Sequence, residues 1–332
     1  MAQPLNRRRV IGITAAAAGL SLLPFGREST GEALAVTWRG QALGAQATLL
    51  IHHDDRALAL SLVEGVTAEV RRLERIFSLY RDDSDLVSLN RRHAIAAPPI
   101  ELVELLQKCR SLWELTGGAF DPTVQPLWTI YQRHFSDPDA DPAGPSPRLL
   151  RDTLDRVGFD GVLSSRDRVE FLRPGMALTL NGIAQGYITD RIVELLRAGG
   201  IDRCLVDMGE TRAVGSRPDG REWRVAIADP NEPGRDLAVL DVVDRAVATS
   251  TPYGFRFDRK GRFNHLVDPR SGQTSHRYES VTVVASDAAD ADALATAFSL
   301  MDTGAIAKIV AMLGKMEVYL APYSGEHLVL RS

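Results

Sequence analysis

The sequence predicts an α+β fold, on three observations. Apolar residues recur at helical spacing over several long stretches, short apolar runs bounded by Gly, Pro and Asp recur between them, and several short runs follow one another directly. Runs that follow one another directly form hairpins, so mixed, mostly antiparallel sheets with packed helices are expected, not a doubly wound parallel sheet. The chain has 332 residues, 45% hydrophobic and 25% charged, a globular composition with room for one large domain or two small ones.

Residues 36–53 read as a strand pair with Gly40 and Gly44 at a bend. Leu62, Val66, Val70, Leu73 and Phe77 mark one face of a long amphipathic helix. A second helix is expected over 99–115, from the spacing of Leu102, Leu105 and Leu106, with a stop at Gly117-Gly118. Residues 136–147 (SDPDADPAGPSP) form a Pro/Asp-rich loop, the best candidate for an insertion or a subdomain seam. Short strands are expected near 161–164, 169–172 and 177–181, then a helix over 183–198 ended by Gly199-Gly200. Strands recur near 203–207, 223–228, 238–242, 246–249 and 279–285. A helix over 288–301, with Asp287 as N-cap, continues as helix over 305–313, and two strands close the chain.

The first 35 residues read as a targeting segment. Arg7-Arg8-Arg9 precede an apolar run over 10–23, Pro24 breaks it, and Ala33-Leu34-Ala35 offers an A-x-A cleavage site before Val36. The run is too short to span a bilayer comfortably. Paired arginines before a mildly hydrophobic, Ala/Gly-rich core suit a twin-arginine export signal better than a plain secretory signal or an uncleaved anchor. The expectation is a periplasmic protein, passed folded through the twin-arginine machinery, with no stable membrane span after cleavage. Net charge is −4. Residues 1–35 carry four arginines and two glutamates, so the remainder stands at −6, which gives no support to nucleic-acid binding through phosphate neutralisation. Cys109 and Cys204 lie in apolar surroundings, which predicts two separate buried thiols, and no Cys/His cluster has zinc spacing.

Residues 117–128 (GGAFDPTVQPLW) are the most informative stretch. Two glycines let backbone approach a ligand, Phe120 offers a ring, and Asp121 offers a carboxylate before a stiffening proline. The same residues can form a helix C-cap and a tight turn, which composition alone favours. Asp292 and Thr296 are four apart on a predicted helix, so both face one way and can give two oxygens to a hard cation such as Mg²⁺. The helix macrodipole alone also favours an acid near a helix start. Residues 179–187 (TLNGIAQGY) run from a predicted strand into a helix whose N-terminus attracts phosphate oxygens. His265, with an intrinsic pKa of about 6.5, is either a proton acceptor or a histidine held beside an Asp268-Pro-Arg-Ser turn. Tyr80 offers a ring face and a hydroxyl, or caps the helix before it.

Taken in order, residues 78–90 (SLYRDDSDLVSLN), 117–128, 182–190 (GIAQGYITD), 248–250 (ATS), 265–272 (HLVDPRSG) and 292–297 (DALATA) resemble the elements of the FAD:protein FMN transferases, the ApbE-like family. The resemblance covers nearly all of the chain after residue 36. It implies that residues 36–332 form duplicated, tunnelling-fold-like subdomains. It further implies FAD as donor substrate, Mg²⁺ as cofactor, a periplasm-facing flavoprotein as acceptor, transfer of FMN to an acceptor threonine, and release of AMP. The metal ligands it implies are Asp292 and Thr296, with backbone oxygen from Gly182 and Ala184. The flavin contacts it implies are Leu43, Tyr80, Ala119, Phe120, Asp121, Thr179, Gln185 and Leu266. His265 becomes the general base, with Asp268 and Arg270 bracing its turn.

Several positions depart from the family pattern. Leu43 stands for Met, Ala45 for Thr, Thr179 for Asp, Asn181 for Gly, Gln185 for Lys or Glu, and Ser271 for Thr. Gly209-Glu210-Thr211 replaces GGD, and Thr249-Ser250-Thr251 replaces TSG. Two charged contacts, at Thr179 and Gln185, thereby become neutral. The pattern GIAQGYITD, GETRA, HLVDPRSG is similar to the NosX-type branch, which serves the flavoprotein NosR of nitrous-oxide respiration, so a NosR-like acceptor is expected. Two alternatives use the same pocket. A non-catalytic periplasmic FAD-binding or assembly protein suits the neutral Thr179 and Gln185, and a FAD pyrophosphatase would use water in place of threonine.

Overall fold

The computed structural model describes residues 20–22, 35–229 and 234–332, so most of the segment expected to direct export lies outside the described residues. After β1 (Leu20–Leu22) the chain forms a hairpin of β2 (Ala35–Ala42) and β3 (Ala45–His52), then α1 (Arg56–Phe77). A long excursion follows, with α2 (Asp85–Arg92), β4 (Ala94–Ala96), α3 (Ile100–Leu115), α4 (Gln125–Ser136), α5 (Pro147–Leu154), β5 (Val162–Ser164) and β6 (Arg168–Phe171). The chain returns through α6 (Ala184–Ala198), β7 (Cys204–Asp207) and β8 (Thr211–Val214), and then makes a hairpin of β9 (Trp223–Ala228) and β10 (Asp236–Val242). It ends with β11 (Ala246–Ser250), β12 (Tyr278–Ala285), α7 (Ala288–Phe298), α8 (Thr303–Leu313), β13 (Glu317–Pro322) and β14 (Leu328–Arg331).

Local chemistry accounts for the element ends. Leu43 and Gly44 join β2 to β3 with φ of 49° and 83°, the paired positive values that a two-residue hairpin turn needs. Gly40, expected at the bend, lies inside β2 opposite Ala47, where a Cβ would run into the Trp38 ring. Asp55 caps α1 by accepting the Ala57 and Leu58 amides, and Val66, Val70, Leu73 and Phe77 are buried as their spacing requires.

Eight strands form one antiparallel sheet in the order β14-β13-β12-β11-β8-β7-β3-β2. The sheet divides into two halves of one plan. In each, two strands, two helices and two strands follow in sequence (β2-β3-α1-α6-β7-β8 and β11-β12-α7-α8-β13-β14). In each, the strands lie in the order fourth, third, second, first. The halves meet where Ala246 and Val247 of β11 pair with Arg212 and Thr211 of β8. The fold is therefore α+β with mostly antiparallel sheets and packed helices, as expected, and its repeat is visible in the strand order.

Strand alternation sends Leu49 and Ile51 into the large core shared with the helices, and Leu50 to the opposite face, where Trp223, Val225 and Ile227 of the β9–β10 hairpin cover it. A third cluster, Leu127, Tyr131, Leu150 and Val267, ties α4 and α5 to the long β11–β12 connection, and the Tyr131 hydroxyl donates to the Gly272 carbonyl at 2.8 Å. Cys109 and Cys204 are buried and unpaired with each other, as expected. Among the described residues no helix is long and apolar enough to cross a membrane.

Two further expectations fail. Residues 177–181 form no strand; the Thr179 amide donates to the Pro122 carbonyl at 2.8 Å, so the stretch braces the 117–128 motif. The helix expected over 288–301 ends at Phe298, and a new one starts at Thr303 because Asp302 accepts the Ala305 amide as N-cap. The Pro/Asp-rich loop 136–147 links α4 to α5 and is a small part of a far larger excursion between α1 and α6.

Candidate functional site

A cavity of about 330 Å³ opens where the excursion, the start of α6, the β8–β11 seam and α7 meet. Its wall includes Leu43, Tyr80, Ala119, Phe120, Asp121, Thr179, Gly182, Gln185, His265, Leu266, Asp292 and Thr296. Ala184 is the exception among the expected site residues. It is 1% exposed and off the cavity wall, because the first turn of α6 takes it in and its amide donates to the Leu180 carbonyl at 2.8 Å.

The acid–hydroxyl pair is built by the packing of α6 on α7. Gly186 allows the two helices to touch: a Cβ there would lie 2.2 Å from the Ala288 carbonyl oxygen. The Gly186 amide donates to Asp292 Oδ2 at 3.2 Å. In the other direction, Asp190 of α6 accepts the Ala288 and Ala289 amides at 2.9 Å each, capping α7, and pairs with Arg212. Asp292 is 5% exposed, and burial pushes its carboxyl up to about 7. One turn along, the Thr296 hydroxyl lies 3.3 Å from the Ser250 hydroxyl, and a Cβ on Gly182 would meet it at 3.0 Å.

Glu210 faces the same space. It follows Gly209, whose φ of 106° brings the chain over Gln185, and it lines the cavity at 4% exposure. Its Oε2 is buried without a hydrogen-bond partner, and burial together with Asp292 and Asp207 holds the carboxyl well above its usual range. Two buried carboxylates beside two hydroxyls make an oxygen-only donor set, which suits a hard divalent cation. Among the described residues no three His, Cys, Asp or Glu side chains converge into a metal cage. Magnesium does not need one, since it is commonly held by one or two carboxylates and completed by substrate phosphate. The residues present fit that ion.

His265 sits on the β11–β12 connection. Its Nδ1 lies 3.2 Å from the Phe255 carbonyl, which can only accept, so Nδ1 carries the proton and Nε2 keeps a free lone pair. Burial lowers its pKa from 6.5, keeping the ring neutral. Asp268 holds Arg270 through two guanidinium contacts at 2.9 and 2.8 Å, and Arg270 reaches the Leu300 carbonyl at 3.2 Å, so the pair braces the turn as expected.

On the opposite side, the Tyr80 hydroxyl accepts from Asn181 Nδ2 at 3.1 Å, and Phe120 and Leu266 present apolar surface at 4% and 5% exposure. Asp121 lines the cavity, but its oxygens are taken up by the protein. Oδ1 accepts the Thr123 amide and hydroxyl at 2.8 and 2.5 Å, and Oδ2 accepts the Phe159 amide at 3.1 Å. Asp121 therefore anchors the 117–128 loop from the cavity wall.

A profile of the ApbE family matches residues 43–320. The chain belongs to the ApbE family. The FAD:protein FMN transferase of Treponema pallidum is 34% identical over 256 residues, 71% of this chain and 70% of that protein. That of Haemophilus influenzae is 26% identical over 340 residues, 98% of this chain and 96% of that protein. The crystal structure of Pseudomonas stutzeri flavinyl transferase ApbE in its apo form matches with a TM-score of 0.76 at 27% identity, covering 89% of this chain and 93% of that one.

Within the ApbE frame, the cavity also brings in side chains that sequence reasoning assigned no role. Asn181, Glu210 and Ser250 were legible only as replacements in, or members of, family motifs. Gln125 and Trp128 came within the 117–128 stretch, and α4, which begins there, turns both toward the cavity.

Proposed function

We propose that this chain is a magnesium-dependent FAD:protein FMN transferase that attaches FMN to a threonine of an exported or membrane-attached redox protein and releases AMP. Its family membership makes it a flavinyltransferase enzyme, with FAD as donor and a flavoprotein as acceptor. The single observation that carries the finer reading is the convergence of Asp292, Thr296, His265, Tyr80 and Phe120 on one cavity wall.

Asp292, Thr296 and the backbone at Gly182 would hold the ion. When bound, Mg²⁺ neutralises diphosphate charge and stabilises the departing AMP oxygen. Phe120, Tyr80 and Leu266 hold the rings. His265 Nε2 accepts the threonine proton while the threonine oxygen attacks the phosphorus nearer riboflavin. The bond from that phosphorus to the bridging oxygen breaks, and AMP leaves with the oxygen. The paired arginines at 7–9 and the A-x-A site support export to the periplasm by the twin-arginine route, and the GETRA and HLVDPRSG motifs support an acceptor of the NosR type.

The test is incubation with FAD, Mg²⁺ and a threonine-bearing flavoprotein acceptor, followed by mass analysis. Covalent FMN on the acceptor with one AMP released per FMN is the expected result. Free FMN would replace the reading with FAD hydrolysis, and bound, unchanged FAD would replace it with a carrier role.

A further inference from the structure

We propose that Glu210 is a further carboxylate ligand of the divalent cation at Asp292 and Thr296, so that the chain loads its ion before FAD arrives. The inference rests on the metal reading above and extends it to a residue outside the motif that suggested it.

Glu210 is 4% exposed, lines the cavity, and leaves Oε2 buried without a hydrogen-bond partner. A buried acceptor left unmade forfeits its hydration with nothing in return, so such an oxygen implies an absent partner. The Thr249 amide donates to the Glu210 carboxyl, yet Oε2 is left without a partner, and no base supplies one. The charged groups acting on Glu210 are Asp292 and Asp207, both acidic. Arg212, the nearby base, pairs with Asp190. Asp207 is occupied by the Gly209 amide at 2.9 Å and the Thr211 hydroxyl at 3.4 Å. Two acids facing a shared buried space, with no base between them, call for a cation.

The backbone fixes the side chain in place for that task. The Glu210 carbonyl accepts the Thr189 hydroxyl at 2.9 Å and the Met208 amide at 3.3 Å, so the residue is anchored to α6 and to its own turn. The surrounding donors, Ser250 and Thr296, are hydroxyls. An all-oxygen set with two carboxylates selects Mg²⁺ or Mn²⁺ over softer metals. Once the ion displaces the protons that burial favours, the two carboxylates balance its charge without help from a diphosphate, hence loading before FAD.

Mn²⁺ alone, titrated into the FAD-free full chain and followed by electron paramagnetic resonance and thermal melting, tests the inference. Wild type is expected to bind one Mn²⁺ and to melt higher as Mn²⁺ rises. Glu210→Gln, nearly the same shape, is expected to melt no lower than wild type without metal, to bind Mn²⁺ at least about tenfold more weakly, and to lose most of the metal-induced rise. Glu210→Asp, which keeps the charge but shortens the reach, should fall between them and serves if the Gln variant does not fold. Wild-type affinity in Glu210→Gln, or no Mn²⁺ bound by wild type without FAD, overturns the inference. Asp292→Asn separates the two readings: if it weakens Mn²⁺ while Glu210→Gln does not, only Glu210 is wrong, whereas wild-type affinity in Asp292→Asn removes the metal reading itself.

Discussion

The two halves of the sheet share one plan but are opened at different places. The first half is split between its helices, α1 and α6, by the excursion that carries Tyr80, Phe120, Asp121 and Thr179. The second half keeps α7 and α8 in succession and is split instead between β11 and β12, where residues 251–277 carry His265 and Leu266. The unsplit contact, α6 against α7, supplies Gly182, Asp292 and Thr296. The comparison teaches a division of labour. Regular secondary structure, which packing makes rigid, carries the acid–hydroxyl pair, while the two insertions bring the aromatic rings and the histidine to meet it.

The strongest way to break that picture is at the regular seam. Asp292→Asn should lower transfer about 10³-fold, the scale of several kcal/mol of lost charge stabilisation, while the protein still melts as a folded chain. Steady-state transfer and a melting curve check both halves of the statement. Near-normal transfer would move the chemistry out of the seam.

Next in size is the second insertion. His265→Ala should cost about 10²–10⁴-fold in kcat and leave FAD affinity near normal, as expected of a general base. Because burial depresses the His265 pKa, its neutral, proton-accepting form persists below pH 6.5. With FAD and Mg²⁺ saturating, the rate should therefore hold as pH falls to 6.5 and decline only in more acid buffer. An acid limb centred above 6.5 would count against this histidine.

A smaller effect is expected from the helix contact itself. Gly186→Ala sets a methyl against the Ala288 carbonyl and should destabilise the fold by about 1–3 kcal/mol, read as a lowered melting temperature. The smallest belongs to the first insertion. Tyr80→Phe removes the hydroxyl that Asn181 holds, and should raise KM for FAD about two- to tenfold with kcat little changed, the scale of one net hydrogen bond.

How far the sequence could be read follows the same division. Elements with long periodicity or explicit end signals were legible: α1 by its stripe from Leu62 to Phe77, α6 by its glycine stop, and α7 by Asp287. The excursion was not. α4 opens with a proline in its first turn, a helix-start signal that the apparent Gly-Pro turn chemistry of 117–128 masked. Residues 177–181 alternate like a strand but have no neighbouring strand to pair with, and long-range contact with Pro122 settles their path.

At the site, residue type offered Asp292, Thr296, His265 and Tyr80 as candidates and the family resemblance singled them out, but neither could say which polar atoms are free. Asp121 and Glu210 are both buried acids in glycine-flanked turns. The first has its oxygens filled by Thr123 and Phe159, and the second has one oxygen empty. That difference depends on residues distant in sequence, so no local pattern could reveal it.

The most direct measurement is a crystal grown with FAD and Mn²⁺, examined for anomalous scattering. The account predicts one manganese peak in the cavity, contacting Asp292 and Thr296 on one side and the FAD diphosphate on the other. A manganese peak elsewhere, or FAD bound in the cavity with its diphosphate turned away from Asp292, would contradict it.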